Sequence, residues 1–558
     1  MNLRKWLSST VVLTLACGLA AGCTGGGSGT TPNETATPEG KETAAPKQQI
    51  TLNYRAEPGA LDVSKTTQIA AFTILGAVGE GLYRLDKNNK AQPGLAKDMP
   101  KISPDGRTYT ITLKDNLTYS DGVPVKAQDF VYSYQRSVDP ATKAIYAFMV
   151  AWIKGGTDVM KAKTPEEAEA KKKEMGVKAL DDKTLEITLE RPIPFFTEQL
   201  SFLNFFPQRQ DIIDKYKEKN GADAESVVGA GPFILKKWDH DQQIVLVKND
   251  KYWDKDNVKL EQIQLNIVKD ENTGLNLFQT GGSDLQTITG DNIRLWEGKP
   301  EYVLQPELSS WFIKLSQKNV PAFQNKKIRQ ALAMSIDNAA FIETVMGKGP
   351  VPATGFVPSG TSDGNGEEFR KKAGSLMPKF DPDKAKQLLK EGLQEAGLSQ
   401  LPTFKLQGDD HNTGPKALEF LVAQWKQNLG VDALAEPVPH KLRVDNENNH
   451  KYQASVSGWG ADYNDPMTFL DMFITGSDLN DVDWSNPEYD KLAGGAIAEL
   501  DKAKRSDLMV QAEKLLIEEM PILPNYFRAT SWVKNPKIQD LIFPPYGVEL
   551  EFKWAYVK

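Results

Sequence analysis

Asp462 and Asp465 lie among Trp459, Tyr463 and Phe469 in the stretch Val456-Ser457-Gly458-Trp459-Gly460-Ala461-Asp462-Tyr463-Asn464-Asp465-Pro466-Met467-Thr468-Phe469-Leu470. A carboxylate in a partly dry place is costly unless a cation or several donors meet it, and an ammonium group arriving from outside would do so. The chemistry is then recognition of an amine, with Asp462 as its acceptor. The plain alternative makes Asp462 and Asp465 an Asx-turn and a helix cap, with the aromatics as ordinary core. The apolar run Ala454 to Ser457 and the apolar helix start at Phe469 predict a strand end that opens onto a turn.

Gly458-Trp459-Gly460-Ala461-Asp462-Tyr463-Asn464-Asp465-Pro466, followed by Phe469-Leu470-Asp471, resembles the signature of the oligopeptide-binding proteins of ABC importers, the family-five extracellular solute-binding proteins. The resemblance continues through Gly79-Glu80-Gly81-Leu82-Tyr83, Tyr119-Ser120-Asp121-Gly122 and Val228-Gly229-Ala230-Gly231-Pro232-Phe233. It implies an α/β fold of the periplasmic-binding-protein type (type II, cluster C), two-lobed, with an extra domain in the first lobe. It also implies that Asp462 pairs with a peptide's α-amino group, with Gly458, Trp459, Gly460 and Ala461 around it. Thr67, Gln68 and Ile69 would meet the peptide backbone through main-chain groups, and Tyr146 would line the channel, a core aromatic being the alternative for Tyr146. The sequence departs from the family where some members carry an arginine to meet a carboxylate: here stand Val456 and Ser457. The segment Pro437 to Arg443 lacks a family tryptophan, and a solvated loop is favoured over pocket lining for both His440 and Arg443. No rule for the peptide's carboxyl end carries over.

The 558 residues are 40% hydrophobic and 25% charged, enough for several cores, and the net charge of −7 argues against nucleic acid as a partner. Four histidines (His240, His411, His440, His450) stand at no metal-ligand spacing, and Asp409-Asp410 reads as a polar turn. With no nucleophile beside a base, neither catalysis nor a cofactor is expected.

Residues 1–22 read as a signal segment: Arg4 and Lys5, then the apolar run Val11 to Ala21, too short to span a bilayer comfortably. Ala20-Ala21-Gly22-Cys23 resembles a lipobox, with Leu19 one place earlier than usual, so Cys23 is the expected lipidation site; plain secretion is the alternative. Residues 23–48 are too poor in large apolar side chains to fold and read as a tether. The expected divisions are 49–80, 207–308 and 524–558 for domain I, 81–206 for the extra domain II, and 309–523 for the second lobe, domain III. The chain should cross between lobes near Leu308 to Leu315, and the run from Pro524 to Trp554 should be short strands and turns. The resemblance implies a monomeric, membrane-anchored protein that captures oligopeptides outside the cell and hands them to ABC permease and ATPase subunits. The alternatives are a family-five binder of a metal chelate, haem or oligosaccharide, or a peptide receptor or chaperone without transport.

Overall fold

Two strands, Tyr302–Leu315 and Ile522–Lys534, run antiparallel through the middle of a mixed sheet and belong to both of its halves. The computed structural model describes residues 46–55, 57–411, 413–477 and 479–558. The expected signal segment, Cys23 and all but the last three tether residues lie outside them.

On one side of the long pair come Ala454–Gly460, Phe404–Asp409 and Ala433–Val438; on the other come Leu285–Ile288, Gln49–Tyr54, Gln262–Ile267, Gln243–Lys248 and Phe233–Asp239. Alternation along Gln49–Tyr54 buries Ile50, Leu52 and Tyr54, and this strand pairs in parallel with Gln262–Ile267. Parallel pairing needs covered faces, and the apolar helix Ile69–Val78 supplies part of that cover. The glycines of Val228 to Phe233 are required by close approach: a Cβ on Gly229 would lie 2.0 Å from the Val78 carbonyl oxygen. The expected short strands after Pro524 are instead mostly one 13-residue strand, Ile522–Lys534, because that segment pairs along the whole of Tyr302–Leu315. Its alternation is masked in sequence, since residues 521–527 are all buried.

Residues 101–188 contribute a separate four-stranded antiparallel sheet, against which the helix Ala127–Val138 packs Phe130, Val131 and Tyr134. Three helix starts carry side-chain caps: Thr164 accepts from the Glu167 amide at 3.2 Å, Asn325 from the Lys327 amide at 3.0 Å, and Asp381 from the Lys384 amide at 2.9 Å. The two ends of the body are tied together. The Gln48 side chain donates to the Val557 carbonyl at 2.8 Å and accepts from its amide at 3.0 Å.

A buried charge cluster sits beneath the half of the sheet that holds Ala454–Gly460. Lys314 donates to Glu447 at 2.9 Å and to Asp481 at 2.5 Å, and Arg443 donates to Glu447 at 2.6 Å and to Asp409 at 2.7 Å. Arg443 is thus not on a solvated loop but 4% exposed, on the helix His440–Asn448, and Asp409 ends a strand rather than sitting in a polar turn. A guanidinium that can bridge two carboxylates remains ionised and fully bonded when buried, which reverses the solvated expectation. Removing Lys314 leaves Asp481 buried without its cation and Glu447 with Arg443 alone. Lys314→Ala is therefore expected to destabilise the protein by about 3–5 kcal/mol in urea unfolding; a loss under about 1 kcal/mol would mean the cluster is not buried as described.

Candidate functional site

The long strand pair is irregular in its middle. Pro306 faces Ala529 and Ser310 faces Phe527, so Glu307, Leu308 and Ser309 stand opposite Arg528 alone. A bulge of this kind re-aims side chains and bends the strands. It is pinned from both flanks: the Leu308 amide donates to the Pro545 carbonyl at 2.8 Å, and the Ala461 amide donates to the Leu308 carbonyl at 2.7 Å. The second of these bonds fixes the end of Ala454–Gly460, and with it the turn that carries Asp462.

Asp465 and Asp462 have opposite fates. Asp465 is 1% exposed and grips Arg505 in a fork, Nη1 at 2.6 Å and Nη2 at 2.8 Å, while its Oδ1 also caps the Met467 amide at 3.0 Å. The cap reading of Asp465 is therefore what the structure holds. Next to it, Tyr463 stacks on Phe195 with ring centroids 4.4 Å apart and planes within 7°, and Trp152 meets Tyr463 edge-on. Phe195 and Trp152 come from the segment 81–206, so these rings join it to the turn. The Asp462 amide donates to Thr468 Oγ1 at 3.2 Å, which sets the backbone and leaves the carboxyl free to face inward.

No cation stands within ion-pair distance of the Asp462 carboxyl among the described residues, although the residue is only 7% exposed. Burial pushes the carboxyl up to about 8; the Tyr146 hydroxyl beside it opposes the rise, and Asp471 adds to it. Asp471 is itself pushed up to about 7 by burial and by Asp465. The turn thus holds a carboxyl whose charged form lacks a partner.

That carboxyl faces a cavity of about 210 Å³ lined by Thr67, Ile69, Tyr146, Trp459, Gly460 and Ala461 as well as Asp462, with Phe202, Tyr546, Glu307, Arg528 and Glu549 completing it. Seven residues singled out in sequence meet there; two do not. Gln68 precedes the helix Ile69–Val78 and accepts from the Gly59 amide at 2.6 Å. Gly458 is a clearance: a Cβ there would lie 2.5 Å from the ring of Trp311, which packs across it. Tyr146 is both readings at once, lining the cavity while packed edge-on to Phe202 at 5.4 Å. The indole N–H of Trp459 and the hydroxyl of Tyr546 are buried without a partner among the described residues. Such donors suit polar groups of a guest.

Ile69, Arg528 and Glu549 also line a second cavity of about 610 Å³, so the two spaces adjoin at these residues. Trp311, Phe341, Met346, Tyr526 and Trp532 give it apolar walls, and Arg55, Asp409, His411 and His440 give it charge. His440, expected on a solvated loop, lines this space through its contact with Asp409 at 3.1 Å. Sequence reading missed Glu307, Arg528 and Glu549; a charged residue inside the apolar run Tyr526-Phe527-Arg528 was the visible signal for Arg528.

A buried acceptor at the inner end of a long cleft, set between two halves of one α/β sheet, defines a two-lobed ligand-binding protein. The chain belongs to the bacterial extracellular solute-binding proteins of family 5, whose profile (family 5 Middle) matches residues 90–481. The dipeptide-binding protein DppE of Bacillus subtilis is 34% identical over 541 residues, covering 96% of this chain and 98% of its own length. Listeria monocytogenes OppA, solved bound to peptide, superposes with a TM-score of 0.79 at 36% identity, covering 92% of this chain and 100% of that one. The substrate-binding domain of an oligopeptide ABC transporter from Bacillus anthracis superposes at 0.80 with 35% identity, covering 92% and 99%. The family is one of substrate-binding proteins rather than enzymes.

The Asp462 carboxyl titrates near 3.8 when unfolded and near 8 when folded without a guest. The folded state then holds the extra proton, so stability from this group is full below the lower value and is lost as pH rises to the upper one. Asp462→Asn is expected to become more stable than wild type across this window, the gap widening by about 1.4 kcal/mol per pH unit. Thermal unfolding at pH 5 and pH 8 measures it, and a gap that stays constant would refute the titration.

Proposed function

We infer that the protein captures oligopeptides outside the cell, fixes their α-ammonium group on Asp462, and delivers them to the permease and ATPase subunits of an ABC importer. The observation that carries this reading is the buried Asp462 carboxyl, without a cation among the described residues, at the end of a cleft that opens into a much larger space. A charge-assisted bond there contributes about 1.5–3 kcal/mol. It does so without regard to the guest's sequence, because every unblocked peptide has the same amino end. Main-chain groups around Thr67, Gln68 and Ile69 would hold the peptide backbone, and the larger space houses side chains of varied shape with bridging water. Peptide binding by Listeria monocytogenes OppA and the transporter assignment of the Bacillus anthracis relative support the ligand class and the importer.

Closure is read from the same contacts. Phe195, Trp152 and Tyr146 of segment 81–206 meet Tyr463, Arg505 and Asp462 of segment 309–523, the segments expected as domains II and III. A peptide seated between them would bias that contact toward the shut arrangement a permease recognises. The protein acts as a monomer on a tether, with Cys23 as the lipidated first residue of the mature chain. Replacing Cys23→Ala in cells should move the protein from the membrane fraction to the medium or periplasm, and retention with the membrane would end the anchor reading.

Two measurements test the amine contact. Asp462→Ala should weaken a free-amine pentapeptide more than about tenfold in calorimetry, and acetylating the peptide should reproduce that loss on wild type. Equal affinities in both experiments would remove Asp462 from recognition. For wild type, binding should also tighten by roughly tenfold per unit between pH 6 and 7, because the carboxyl must give up its proton to receive the ammonium. This slope should vanish in Asp462→Asn.

A further inference from the structure

Matching every charge in the cleft with its partner leaves two carboxylates over. Arg55 pairs with Glu271, Arg443 with Asp409 at 2.7 Å, and Arg528 with Glu307 at 3.5 Å. Glu307 and Asp409 are thereby met by cations of the protein itself. Asp462 has none, and is the acceptor for the amine. Glu549 has none either: among the described residues no cation stands within ion-pair distance of its carboxyl, which has the Tyr54 hydroxyl beside it. Arg528 and Arg55 both act on it at longer range, but they are turned toward Glu307 and Glu271.

The position of Glu549 is as telling as its lack of a partner. It lines both the cavity that holds Asp462 and the larger one, so a guest whose amine lies on Asp462 and whose chain extends outward passes it. We propose that Glu549 is a second cation-binding position of the cleft, which selects guests carrying a lysine or arginine side chain within their first three residues. This rests on the amine being seated at Asp462. Burial, reinforced by Glu307, pushes the Glu549 carboxyl up to about 7 in spite of Arg528, as fits a carboxylate still short of one positive charge. A guest ammonium or guanidinium would supply that charge at a half-buried carboxylate, where the contact is stronger than on an open surface.

The test is a set of alanine pentapeptides in which lysine, or the uncharged norleucine, is placed at the first, second or third position, each with a free or an acetylated amino end. Binding is measured by calorimetry to wild type, Glu549→Gln, Glu549→Asp and Glu307→Gln. The expected result is that lysine binds wild type about tenfold tighter than norleucine at one of the three positions, corresponding to one charge-assisted contact. Glu549→Gln should abolish this preference, and Glu549→Asp should keep part of it. Because burial disfavours the charged carboxylate, Glu549→Gln should melt no lower than wild type. Equal binding of lysine and norleucine peptides at all three positions, with acetylation still harmful, would overturn the proposal and leave the amine reading intact. A preference that survives Glu549→Gln, or is lost only in Glu307→Gln, would overturn it as well. If acetylation has no effect while the lysine preference still depends on Glu549, the cation contact at Glu549 stands, but the role of Asp462 and the register it sets along the guest fall.

Discussion

The arrangement depends on two strands that no single half of the molecule owns. Tyr302–Leu315 and Ile522–Lys534 share hydrogen bonds at both ends and lose register between Pro306 and Ser310. A continuous ladder would be stiff and would present its side chains alternately up and down. The interruption gives Glu307, Leu308 and Ser309 room to turn toward Arg528, and gives the Leu308 carbonyl to the strand end that carries Asp462. The bend and the binding cleft therefore share the same residues. Any relative movement of the two halves is felt first where the guest lies.

Around that interruption the protein treats like charges in unlike ways. Asp465 is neutralised by a forked arginine and fixes a turn; Asp462, three residues earlier, is buried too, yet left without a cation among the described residues. The rigidity of the first makes the exposure of the second to a guest useful, since a loose turn would relax and bring its carboxylate to water. The stack of Tyr463 on Phe195 extends this support across the cleft. The cost is carried as a raised carboxyl titration rather than as a misfolded loop.

Much of this was legible in sequence, for reasons that differ by residue. The strand end, the turn and the Asp465 cap are local events, set by apolar runs, glycines and a short polar side chain, so nearby residues suffice to read them. The helix starts capped by Thr164 and Asp381 are local in the same way. The role proposed for Asp462 needed the family resemblance, because nothing within the turn says that no cation stands beside it among the described residues. What stayed hidden depends on distant partners. Arg443 looks solvated until Asp409 and Glu447 are brought to it, and Glu549 looks like any acidic residue in a loop until residues 54, 307 and 528 surround it. The second long strand was read as short pieces because burial on both faces erases the period-two pattern.

The clasp between Gln48 and Val557 has a reach beyond fastening two ends. It sets Gln48 and Val557 side by side, so these two positions could be joined by a short loop and fresh ends opened in an exposed turn elsewhere. It also means that a fluorophore or affinity handle appended after Lys558 would emerge beside the start of the strand Gln49–Tyr54.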